Sequence, residues 1–139
     1  PTSGGTASNL NYYEEYSGSH TFQSVIGTGG TTATVTVKIT RVGKAVTLMI
    51  PPVNLTTSNT LTAMFSATAI PARFCPSAAD TFAATVVRSG GTNQNTSGWI
   101  DVPSNGVLAI YYKADLTGFP ISTANSGTAY QSVISYTVQ

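Results

Sequence analysis

Thr34-Val-Thr-Val-Lys-Ile-Thr-Arg-Val-Gly-Lys-Ala-Val-Thr-Leu-Met-Ile50 alternates apolar and polar residues on both sides of a glycine. Val35, Val37 and Ile39 alternate with Thr36, Lys38 and Thr40. Val46, Leu48 and Ile50 alternate with Thr47 and Met49. A period of two marks strands with one buried face. Gly43 between the runs supplies the positive φ that a two-residue hairpin loop requires. With Gly43-Lys44 as a type II′ loop, Ile39 faces Leu48 and Val37 faces Ile50. Opposed residues share a face, so the aliphatics gather on one side and Thr, Lys and Met on the other. A slip by one residue mixes the faces. Arg41 is the exception. The same register puts it on the aliphatic side near the turn, where it must escape over the sheet edge or meet a carboxylate or carbonyl.

Similar runs predict strands over 21–26, 60–68 (Leu61, Ala63 and Phe65 alternating), 81–88, 98–102, 107–113 and 130–138. With the hairpin that makes eight. Pro51-Pro52 ends the hairpin, because proline cannot donate to a ladder. Residues 70–80, with Pro71 and Pro76, read as a long ordered crossover. Residues 103–106, Pro-Ser-Asn-Gly, read as a tight turn, and 89–97 and 115–128 as loops. No helical period extends beyond a turn. The reading is all-β, an antiparallel β-sandwich, and the crossover favours a jelly roll of about eight to ten strands. An immunoglobulin-type domain lacks its Cys…Trp…Cys pattern here. Residues 1–20 read as an N-terminal linker or arm from a longer chain, with a tyrosine-rich segment at 11–16, and 21–139 as the head domain. The closing strand is expected inside a sheet, tied down on both sides.

The chain has 139 residues, of which 41% are apolar and only 8% charged, for a net charge of +1. Globular proteins carry about 25% charged residues. Thr, Ser, Gly and Asn fill the difference, as on extracellular and particle-surface β proteins. The six basic residues are scattered, which argues against nucleic-acid binding. No apolar run approaches the ~20 residues that span a bilayer. Cys75 is the sole cysteine, so it is read as a small buried side chain.

Catalytic chemistry is poorly supplied. His20 is the one histidine and reads as a satisfied or solvated side chain rather than a general base. Among the carboxylates, Glu14, Glu15, Asp80, Asp101 and Asp115, each Asp lies beside a predicted turn or strand end, where Asp stabilises turns. One His and one Cys far apart do not close a zinc site. The expectation is no enzyme, no catalytic residue, no metal and no cofactor. Asn54-Leu-Thr56 and Asn95-Thr-Ser97 match the glycosylation acceptor pattern and read as unmodified loops. The aromatics Trp99, Tyr111, Tyr112, Phe119 and Tyr130 are candidates for a sugar-stacking platform or an interface, with Trp99 and Phe119 taken as ligand-binding candidates. Tyr111 and Tyr112 point to opposite faces, so one of them needs cover from a neighbour. Met49, on the threonine face, gives a similar interface signal.

Four pieces resemble, in order, the trimeric head domains of phage and giant-virus fibre proteins. They are Thr40-Arg-Val-Gly-Lys-Ala-Val-Thr-Leu48, Ala69-Ile-Pro-Ala-Arg-Phe-Cys-Pro76, Gly98-Trp-Ile with Asn105-Gly-Val-Leu-Ala-Ile-Tyr111, and Ser132-Val-Ile-Ser-Tyr136. Such heads are similar to the jelly rolls of the tumour necrosis factor and complement globular-head superfamily. The resemblance implies a homotrimer at the end of a stalk on the virion surface, serving host attachment. It puts the last strand and the 107–112 strand near the threefold axis. Met49, Tyr111, Tyr112 and Tyr136 are then the interface candidates. It carries over no receptor-contacting residue. A host-surface receptor or glycan is the implied partner. The alternatives are a carbohydrate-binding lectin domain and, behind it, a glycan-processing enzyme.

Overall fold

The computed structural model describes residues 12–24, 30–56, 63–77, 81–88, 95–119 and 126–138. Ten antiparallel strands form: β1 (Tyr13–Ser24), β2 (Thr32–Val42), β3 (Ala45–Ile50), β4 (Val53–Thr56), β5 (Met64–Ser66), β6 (Thr81–Arg88), β7 (Asn95–Val102), β8 (Ala109–Tyr111), β9 (Ser126–Ala129) and β10 (Ser132–Thr137). Their hydrogen-bonded order is β10-β3-β2-β1-β5-β8-β7-β6-β9-β4. The sheet curls on itself into an antiparallel sandwich. Tyr130 N–H donates to the Val86 carbonyl at 3.0 Å, and the Thr85 and Ser132 hydroxyls meet at 2.6 Å. These links tie the start of β10 to β6 across the opening.

The hairpin has the register its sequence demands. Ile39 lies opposite Leu48, Lys38 opposite Met49 and Arg41 opposite Val46. Gly43 has φ 59°, and Lys44 is not among the positive-φ residues, as a type II′ loop requires. Val37, Ile39, Val46, Leu48 and Ile50 are buried. They join Phe22, Phe74, Ile100, Leu108, Ile110 and Phe119 in one core.

β1 is longer than expected. It pairs with β2 from Tyr13 opposite Val42 to Gln23 opposite Thr32. The tyrosine-rich segment is therefore strand from Tyr13 onward, and the expected boundary between 20 and 21 falls inside β1. The strand over 60–68 shrinks to β5, where Met64 and Ser66 point inward and Phe65 outward; Leu61 lies outside the described residues. The cause is a polar residue that looks like a surface residue: Ser66 is buried, its hydroxyl accepting from Leu108 N–H and donating to the Thr68 carbonyl. β7 begins three residues earlier than the predicted 98. The predicted run 130–138 breaks at 130–131 and is preceded by β9.

β10 lies at one end of the hydrogen-bonded order, paired with β3 alone, so the expectation of an interior strand is corrected. The terminus is held by other means. Val138 N–H donates to the Lys44 carbonyl at 2.9 Å, and Tyr136 OH to the Phe74 carbonyl at 2.6 Å. Over its described residues, 70–77, the crossover is ordered as expected. It makes one 3₁₀ turn, Ala72–Phe74, and buries Ile70, Phe74 and Cys75. Ile70 N–H donates to the Gly106 carbonyl, fastening the crossover to the 103–106 turn.

Candidate functional site

Period-two geometry sorts every outward residue of β10, β3, β2 and β1 into cross-strand rows. One row runs Val133, Met49, Lys38, Ser17; the next Ser135, Thr47, Thr40, Glu15; the next Thr137, Ala45, Val42, Tyr13. Val133 is 61% exposed, Tyr13 60% and Val42 49%. Two of the twelve side chains, Lys38 and Glu15, are charged. A nearly uncharged face with large apolar side chains in water has the composition of the middle of a subunit interface.

A second outward surface lies across β5, β8 and β7. Trp99 is directly opposite Tyr111. The Phe65 ring meets the Tyr111 ring edge-on at 6.5 Å. All three are half-buried. In the row beside them Asp101 is buried within β7, opposite Ala109, one residue before the strand ends at the 103–106 turn, as expected.

The predicted site residues thus separate. Met49 belongs to the first surface, Tyr111 and Trp99 to the second. Tyr112 and Tyr136 pack against the core. Tyr112 lies against Phe119, ring centroids 5.6 Å apart, and Phe119 is fully buried. Burial, and after it the nearby Cys75, raises the Tyr136 phenol well above the ordinary range. Tyr130 is exposed near β6, apart from both surfaces. Val133, Val42, Tyr13 and Phe65 are the surface residues that the sequence pattern did not single out. Val133 and Phe65 stand beside the buried Ile134 and Met64, so alternation alone does not set them apart.

The chemistry-bearing side chains are structurally occupied. His20 is fully buried. Its Nδ1 lies 3.1 Å from the Thr68 carbonyl and its Nε2 3.1 Å from Tyr16 OH. A carbonyl only accepts, so Nδ1 carries the proton and Nε2 accepts from Tyr16. Burial lowers its pKa, partly opposed by the bond to Thr68. Burial raises the Cys75 thiol. The Asp115 carboxylate accepts from Thr117 N–H at 2.9 Å, the turn role expected of it, and its bonding to Thr117 lowers its pKa. Asn54 is exposed on β4, within a strand rather than a loop, and its side-chain carbonyl accepts from the Thr128 hydroxyl at 3.3 Å. Asp80 lies outside the described residues. Among the described residues no three His, Cys, Asp or Glu side chains come close enough to hold a metal ion. No helix there is long and apolar enough to cross a membrane.

No family model matches the chain, and no curated protein matches it. Among solved structures, it is similar to a reovirus attachment protein, sigma1, determined in complex with alpha-2,3-sialyllactose. The identity is 14% and the TM-score 0.49, over 91% of this chain and 66% of that one, just short of two thirds of its length.

Proposed function

We propose that this chain is a non-enzymatic attachment module, the homotrimeric head of a virion-surface or fibre protein that contacts the host cell. The observation that carries the reading is the outward face of β10, β3, β2 and β1, where Val133 lies opposite Met49 in one row and Val42 opposite Tyr13 in another. Apolar side chains displayed this way gain free energy only when a partner covers them. A ring of identical chains covers such a face with a different face of the next copy when the rotation closes; three copies is the number that the resemblance to viral heads implies. The sequence motifs that resemble viral heads fall on the β2–β3 hairpin, the crossover, the β7–β8 hairpin and β10. Light scattering coupled to size exclusion tests the assembly: the expected mass is three times 14.4 kDa, and a stable monomer at micromolar concentration overturns it. Binding of the labelled head to a panel of cells, saturable and competed by unlabelled head, tests attachment.

A second reading is favoured by the Phe65, Tyr111 and Trp99 surface, since adjacent half-buried rings on a sheet suit stacking on a sugar face. On a glycan array, signal that vanishes in Trp99→Ala with the trimer intact moves the function to carbohydrate recognition by that surface.

A further inference from the structure

At one end of the sandwich is a depression of about 460 Å³, lined among others by Arg41, Arg73, Cys75, Ser77, Ser104 and Val138. Small-molecule sites fall at roughly 300–1,000 Å³. Arg41 arrives on β2, beside the hairpin turn. Its Nε–H donates to the Gly43 carbonyl and an Nη1–H to the Arg73 carbonyl, each at 2.8 Å. Its guanidinium also lies over the Tyr12 ring, 5.1 Å from the centroid. These contacts fix the plane of the guanidinium but use only part of its five N–H donors. Arg73 arrives on the crossover. Its Nε pairs with Glu14, and its guanidinium lies 4.7 Å from the Phe74 ring centroid. Among the described residues, Glu14 is the one carboxylate that pairs with either arginine. Among the described residues, two guanidinium groups stand against one paired carboxylate at the mouth.

We propose that this depression binds a carboxylate-bearing ligand of monosaccharide size, an acidic sugar on the cell surface. The proposal rests on the attachment reading for the choice of a sugar. The remaining donors of Arg41 and Arg73 take the carboxylate, a planar two-oxygen anion that matches the planar fork of a guanidinium. The hydroxyls of Ser77 and Ser104, which both donate and accept, serve the sugar hydroxyls. Arg41 is held in place before any ligand arrives, so little ordering opposes binding. A lone sugar is expected to bind weakly, with several copies on a multivalent head supplying the rest by avidity.

The test uses the full 139-residue chain, isotopically labelled, titrated with glucuronate, glucose and sulfate while amide signals are followed. Glucuronate should give saturable shifts centred on Ala72, Ser77 and Ser104, and glucose none. Arg73→Gln, at a half-exposed position, should weaken glucuronate by about tenfold or more with an unchanged far-UV spectrum. No saturable glucuronate response, an equal response to glucose, displacement by sulfate at matching concentration, or full binding in Arg73→Gln each overturns the assignment. Light scattering on the same samples separates this failure from that of the attachment reading. A trimer without a glucuronate response refutes the site and leaves the trimeric head standing. A monomer that does respond refutes the assembly and leaves the site.

Discussion

Arg41 occupies a position meant for an aliphatic residue, opposite Val46 on the inward side of the hairpin. A charge there is tolerable only if its donors are met. Carbonyls of the adjacent turn and of the crossover meet two of them, so this one side chain joins elements far apart in the chain. Arg41→Met should therefore destabilise the fold by ~2 kcal/mol, since two charge-assisted bonds go and water replaces them only in part. A urea midpoint that drops with unchanged slope is the expected result. Arg41→Lys keeps the charge but cannot hold both carbonyls in one plane, so it should recover less than half of the loss. His20 offers a second test at this scale. Its folded pKa lies below the ordinary value, and the unfolded value is about 6.5. Between the two, the unfolded chain binds the proton and the folded chain does not. Its contribution is therefore complete above about pH 6.5 and is lost as pH falls from there. His20 is the only histidine, so the urea midpoint should fall between about pH 7 and pH 5 and level out in His20→Gln. A slope that persists in that variant assigns the titration elsewhere.

At the scale of elements, the β2–β3 hairpin was legible because two alternating runs flank one glycine and only one register keeps their faces consistent. β4 and β9 were not, and they pair with each other. Val53 lies opposite Ala129 and Leu55 opposite Gly127, large against small. Ser126-Gly-Thr-Ala129 has no apolar alternation to detect, and Val53–Thr56 is four residues long behind two prolines. Neither reads as a strand until the other is beside it. The candidate surfaces were half legible for a related reason. Met49 stood out because it alternates with the hairpin's aliphatics, on the face of Thr47, Thr40 and Lys38, but an outward valine such as Val133 cannot be told from a buried one before the partner strand is known. Trp99 and Tyr111 were named within a group of five aromatics; only the β7–β8 pairing sets these two side by side. That pairing depends on Gly98. A Cβ there would lie 2.4 Å from the Tyr111 carbonyl oxygen and 2.7 Å from a Val87 methyl. Backbone and core both block it, so Gly98→Ala should cost ~2–3 kcal/mol. Emission from Trp99, the only tryptophan, should shift as β8 moves away. An unchanged spectrum and midpoint would mean that the β7–β8 pairing yields freely at this point.

At the scale of the whole molecule, a chain of net charge +1 with 8% charged residues has little electrostatic repulsion to keep copies apart. An uncovered Val133, Met49, Val42 and Tyr13 face on such a molecule leads either to open-ended association or to a closed ring. A closed ring satisfies the apolar face without leaving a template for further copies. The two outcomes respond differently to one change. Val133 is exposed within the chain, so Val133→Asp places a charge where the isolated protomer loses no contact. If this face closes the trimer, the buried charge breaks it, and the mass falls from three times 14.4 kDa to one. The far-UV spectrum stays the same. The melting temperature then ceases to depend on protein concentration, as mass action requires for a dissociated assembly. Lys38→Ala, in the same row but already charged, should leave the trimer in place. A Val133→Asp protein that remains trimeric, with its concentration-dependent melting intact, removes this face from the interface and shifts the threefold contact to the surface bearing Trp99 and Tyr111.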